Sequence, residues 1–175
     1  MNANVWGCSL GLISLLTLGC AAEPSAQTAN TATGPSAAGA EYVLSSEPAG
    51  AIGVAEARES AEDAKDVVVV GRIGGSANPW IEELAAFSLV DTTLKACSDI
   101  PGDACEKPWD YCCATDQLPT STALVKVIDA QGEVVKQDAR QLLGVKELST
   151  VVVQGKANRD EDGNLTILAS NIFVK

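Results

Sequence analysis

The large apolar residues of this chain arrive in short β-branched runs, each closed by glycine or by a polar turn, and no long amphipathic stretch accompanies them. DVVVVGRIGG (66–75), AAFSLVD (85–91), TALVKVIDAQGEVV (122–135, turning at Gln131-Gly132), TVVVQGKA (150–157) and NLTILASNIFV (164–174) read as strands, because branched and aromatic side chains suit a pleated, half-buried surface. The last two form a hairpin across RDEDG. Runs of this length cannot build a helical bundle. They must pair with one another to bury their apolar faces.

Two helices complete the pattern. VAEARESAEDAK (54–65) holds good helix formers without internal Gly or Pro, and DARQLLGVKEL (138–148) spaces Leu142, Val145 and Leu148 at helical intervals, weakened by Gly144. The order helix, three strands, short helix, two strands predicts a mainly β fold: a five-stranded OB-type Greek-key barrel with a short N-terminal helix and a short helix between strands 3 and 4. A ferredoxin-like fold would need a long helix after its first strand, and SANPWIEEL (76–84) is too short and carries Pro79. Gly71 and Gly155 fall where the strands of a small barrel must bend sharply.

The helix followed by V-V-V-V-G-R-I, A-F-S-L-V-D, V-V-V-Q-G-K-A, D-E-D-G-N and L-T-I-L-A-S-N-I resembles the small periplasmic bacterial OB-fold family, over about 120 residues. That family shares a V-x-G-x-I first strand and a V-x-G-x-V fourth strand leading to an acidic turn. The chain departs from it in a long insert between the second and third strands, residues 92–121.

Ahead of the barrel, residues 5–18 form an apolar run of signal h-region length, shorter than the roughly 20 residues that span a bilayer. It ends in L-T-L-G-C (16–20), which resembles the lipobox of bacterial lipoproteins, with Thr17 where leucine is usual and no Lys or Arg before the run. The resemblance implies a signal peptide over residues 1–19, lipidation of Cys20, and a membrane-anchored lipoprotein of the cell envelope, facing the periplasm or in the outer membrane. An ordinary secretory signal cut near Ala21 or Ala22 is the alternative, and it too exports the chain. Ala21 is not the Asp that commonly retains such lipoproteins at the inner membrane. Residues 20–50, rich in Ala, Ser, Thr, Gly and Pro, then read as a flexible tether, and 51–175 as the folded domain.

No histidine occurs, which excludes Ser-His-Asp and Cys-His catalysis and His-ligated metals, and neither a Gly-rich phosphate loop nor a haem-attachment motif is present. The expectation is therefore no enzyme and no cofactor. ACSDIPGDACEKPWDYCC (96–113) is the segment with chemical character, spacing its cysteines C-x7-C-x6-C-C. In an exported chain, Cys97, Cys105, Cys112 and Cys113 read first as two disulfides, since the C-x2-C knuckles of structural zinc sites are missing. A metal-binding or thiol-redox cluster of the same four residues is the alternative, kept open by the adjacent Cys112-Cys113 pair.

Trp109, Tyr111 and Trp80, with Arg72 and Phe87 on the neighbouring strands, are candidate ligand contacts, because the loops of an OB barrel flank its binding face. Packing over the insert or the barrel is the competing role for these aromatics. A net charge of −11 argues against nucleic acid, although Arg72, Lys126 and Lys156 could form a local basic stripe. Asp160, Asp162 and Asn164 resemble the start of a calcium loop but lack its glycine and glutamate positions, so a hairpin turn is expected. The functional expectation is a lipid-anchored envelope module that binds or assembles with a small ligand or another envelope protein.

Overall fold

The structure, a computed structural model, describes residues 34–175. The expected signal peptide, Cys20 and the first part of the tether lie outside those residues. In chain order the elements are β1 (Ile52–Gly53), α1 (Val54–Ser60), β2 (Asp66–Ile73), β3 (Trp80–Ile81), β4 (Ala86–Val90), α2 (Leu118–Ser121), β5 (Thr122–Val127), α3 (Ala139–Leu143), β6 (Thr150–Arg159) and β7 (Leu165–Val174).

Five of these strands close into a barrel. β2 pairs antiparallel with β6, β6 with β7, β7 in parallel with β5, β5 antiparallel with β4, and β4 returns to β2 through Arg72↔Val90 and Ile73↔Leu89. Closure removes the exposed edges that an open sheet of this size would present. The ring order is consistent with the Greek-key barrel expected above. β2 alternates strictly, with Val67, Val69 and Ile73 buried, and these side chains meet Phe87, Leu89, Val125, Val127, Val151, Val153, Ile167 and Ile172 in one core. The period-2 pattern of the sequence is thus what places the core. No helix among the described residues is long and apolar enough to cross a membrane.

Gly155 and Gly71 are both sites of close approach. A Cβ on Gly155 would stand 2.1 Å from the Leu168 carbonyl oxygen, where the β6–β7 register slips by one residue, and one on Gly71 would stand 2.5 Å from Leu89 Cγ. The bend at each position needs a residue without a side chain.

Several boundaries differ from the sequence reading. α1 ends at Ser60 rather than at residue 65: the Arg159 guanidinium, from the end of β6, donates to the carbonyls of Ala57, Arg58 and Ala61 and so takes the acceptors at the helix C-terminus. α3 runs only from Ala139 to Leu143, closed by Gly144 in the left-handed region at φ 69°. Residues 128–135 make a tight turn with one bridge, Ile128↔Val134, instead of a continued strand.

The tether expected over 20–50 does not extend to residue 50. Residues 39–41 form a 3-10 turn with Gly39 buried, and the main chain bonds to β7 and α3: Leu44 N–H to Ile172 O at 2.8 Å, Ile172 N–H to Tyr42 O at 2.7 Å, Ser36 N–H to Leu142 O at 3.0 Å. Main-chain bonding needs no large side chains, which is why composition alone hid it.

Candidate functional site

The insert leaves β4 at Val90 and returns at β5, and it folds around a small core of its own. Val90, Leu94, Ala96 and Tyr111 are buried together, with Ala114, Leu118 and Leu148 packed against them. Tyr111 sits in the left-handed region at φ 59°, and its ring lies so close to Gly74 that a Cβ there would be 2.8 Å from Cε2. Gly75 N–H bonds the Trp109 carbonyl at 2.8 Å, Trp109 Nε1 donates to Ala77 O at 3.3 Å, and Arg72 pairs with Asp99. These contacts clamp the insert onto the loop that follows β2.

The clamp brings the cysteines to one place. Cys97 is fully buried, Cys105 half-buried, and Cys112 and Cys113 exposed. Cys112 Sγ lies 3.4 Å from Cys97 Sγ, 3.9 Å from Cys105 Sγ and 3.9 Å from Cys113 Sγ. A disulfide would require about 2.05 Å. The four are free cysteines in the structure, and the pair at 3.4 Å, Cys97 and Cys112, is one that the expected staple would join.

Two aspartates join the sulfurs. Asp110 Oδ1 accepts the Cys112 N–H at 2.9 Å and faces Cys97 Sγ at 3.8 Å. Asp103 Oδ1 accepts the Cys105 N–H at 2.7 Å, while its Oδ2 accepts from Cys113 Sγ at 3.4 Å. The ligand atoms of Cys97, Cys105, Asp110 and Cys112 all lie within 4.8 Å of one another, as do those of Cys97, Asp103 and Cys113. Ligands on a tetrahedral ion with metal–sulfur bonds of about 2.3 Å stand about 3.8 Å apart, near the 3.4, 3.8 and 3.9 Å of Cys97–Cys112, Cys97–Asp110 and Cys105–Cys112.

The electrostatics single out Cys97. Burial opposes its ionisation, yet hydrogen bonding from Cys112, from the Cys113 N–H and from the sulfurs of Cys113 and Cys105 outweighs burial and holds its thiol below the ordinary range. Cys112 is pushed up by its hydrogen bond to Cys97 and then by those to Cys105 and Cys113, and Cys113 chiefly by the Asp103 carboxylate. Cys97 is thus the sulfur of the group that gives up its proton most readily.

The other candidates go elsewhere. Phe87 is fully buried in the barrel, and Trp80, 4% exposed, meets it edge-on at 6.0 Å, donates Nε1 to Glu147 at 2.6 Å and lies beneath Arg140 at 5.5 Å. With Tyr111 also buried, Trp109 is the sole aromatic of the expected contact set that keeps an accessible face; the others pack. Arg72 is paired with Asp99 and Lys156 with Asp66, which takes two of the three members of the basic stripe. Asp160 accepts the N–H groups of Asp162 and Asn164 and the Asn164 amide, forming the hairpin turn. Sequence reasoning missed Asp103 and Asp110, although D-A-C and D-Y-C each place a carboxylate two residues before a cysteine.

No family model and no curated protein matches the chain. Among solved structures, it is similar to the hypothetical protein YgiW from E. coli at 16% identity and a TM-score of 0.37, over 76% of this chain and 95% of that one.

Proposed function

We propose that the protein is a lipid-anchored cell-envelope module on an OB-type barrel, and that its insert binds a thiophilic metal cation rather than catalysing a reaction. The ligands are the sulfurs of Cys97, Cys105 and Cys112 with the carboxylate of Asp110. The observation that supports this reading is their grouping, with all four ligand atoms within 4.8 Å of one another and Cys112 Sγ at 3.4 and 3.9 Å from the other two sulfurs. Three thiolates and one oxygen suit Zn2+, whereas Cu+ would prefer sulfur alone.

The barrel supplies rigidity. Cys97 is fixed in the insert's core, and Asp110 is oriented by the Cys112 N–H, so the donor set is largely arranged before the ion arrives. An oxidising compartment favours disulfides over free thiols. A bound cation answers that pressure, because it engages the sulfur lone pairs that an oxidant would attack.

The test is a zinc titration of the reduced mature chain against a chromophoric chelator, with the Cys97→Ser chain alongside. Stoichiometric binding that falls at least a hundredfold in Cys97→Ser supports the reading, and equal binding by the two chains overturns it. For the anchor, Cys20→Ala should move the protein from the membrane to the soluble fraction; unchanged membrane association refutes lipidation at Cys20.

A further inference from the structure

Cys113 and Asp103 take no part in the site just described, yet their ligand atoms lie 3.4 Å apart and both fall within 4.8 Å of Cys97 Sγ. From these positions we infer that the insert holds a second cation site, formed by Cys97, Cys113 and Asp103, which shares the Cys97 sulfur with the first as a bridging ligand. This inference rests on the proposed zinc site.

The geometry matches. A sulfur and an oxygen on one tetrahedral zinc, with bonds of about 2.3 and 2.1 Å, stand about 3.6 Å apart, against the 3.4 Å measured. Asp103 is already aimed, since its other oxygen accepts the Cys105 N–H at 2.7 Å. Cys113 Sγ lies 3.9 Å from Cys112 Sγ, close enough for two ions joined through Cys97 to sit in adjacent tetrahedra.

Charge points the same way. With the first site occupied, Cys113 and Asp103 remain a sulfur and a carboxylate that share one proton at 3.4 Å, outside that site. A second divalent ion would replace that shared proton, and the Cys97 sulfur has the lone pairs to bridge two metals. Three protein ligands leave a fourth position open on the side of exposed Cys113, where water or an incoming ligand can bind. The outer ion should therefore be divalent, thiophilic and exchangeable, and the inner one held more firmly.

Native mass spectrometry of the reduced mature chain with excess Zn2+ should count two ions. Cys113→Ser and Asp103→Asn, both on the accessible side of the insert, should each reduce the count to one. Co2+ supplies an independent readout: the high-spin paramagnetic resonance signal should grow to one equivalent and fall toward two, because a shared thiolate couples the two spins. One ion in the unmodified chain overturns the second site and leaves the first standing. Two ions without loss of the cobalt signal overturn the shared sulfur, and no bound ion overturns both readings.

Discussion

Asp91 is the residue on which the junction of helix, barrel and insert turns, and its removal is worth following quantitatively. It follows β4, is 2% exposed, and reaches across to the N-terminus of α1, whose N-cap, Gly53, has no side chain to satisfy the first helical amides. Oδ2 accepts the Ala55 N–H at 2.8 Å; Oδ1 accepts the Thr93 N–H at 2.8 Å and hydroxyl at 2.7 Å. A Cβ on Gly53 would stand 2.6 Å from Oδ2 and push the carboxylate off the helix end. Burial raises the Asp91 pKa, but bonds from Ala55, Thr93 and Val54 overcome it and leave the carboxyl below its ordinary value.

In Asp91→Ala, Thr93 is exposed and can turn to water, whereas the amides at the start of α1 lose a charged acceptor in a covered position. Losing that charged cap, at about 1.5–3 kcal/mol for a hydrogen bond to a charged group, predicts a cost of about 2–3 kcal/mol, or roughly 4–12 °C in Tm. Asp91→Asn keeps one oxygen for α1 and should cost about 1–2 kcal/mol. The folded pKa lies below the unfolded value of about 3.9, so the contribution is present above that value and is lost as pH falls through the folded pKa. The gap between the native chain and Asp91→Asn should therefore narrow below about pH 4. Urea denaturation of the reduced chains at pH 7 and pH 3 measures both effects. An Asp91→Ala chain within 1 kcal/mol of the native one, or a pH-independent gap, refutes the cap.

Gly155→Ala should cost at least about 2 kcal/mol in the same assay, because its methyl group meets the Leu168 carbonyl backbone, which cannot step aside; a neutral result would mean that the barrel tolerates a wider bend. Arg159→Met should cost about 2 kcal/mol and raise hydrogen exchange selectively in α1, since the Arg58 and Ala61 carbonyls lose the guanidinium and the Ala57 carbonyl keeps only the Ala61 N–H. Unchanged exchange there would refute the clamp. A chain beginning at residue 45 should unfold several degrees lower than one beginning at 34, having lost the bonds of Ser36, Tyr42 and Leu44 to α3 and β7; equal melting temperatures would restore the tether to its full expected length.

The barrel was legible because its strands alternate or run β-branched between glycine and polar turns, and a local signal of period 2 survives into the structure: Val67, Val69 and Ile73 point inward as the pattern requires. What escaped depends on long-range partners. Arg159 ends α1 from about a hundred residues away, Asp91 caps it from another strand, and residues 34–44 bind through their main chain. At the site, the four cysteines were found by type and spacing. Their state was not, because C-x7-C-x6-C-C carries no information on whether sulfurs meet as bonded pairs or around a point. Trp80, Phe87 and Tyr111 were read both as contacts and as packing, and burial decides for packing, since closing the barrel and seating the insert consumed them.

What the sulfurs of the insert are bonded to decides whether it is a cation site. X-ray absorption at the zinc edge of the reduced chain carrying one equivalent of Zn2+ reads it directly. The account predicts three sulfurs at about 2.3 Å and one oxygen at about 2.0–2.2 Å. A shell of oxygen and nitrogen alone would contradict it, as would a chain isolated from its host whose intact mass shows four hydrogens lost and no metal gained.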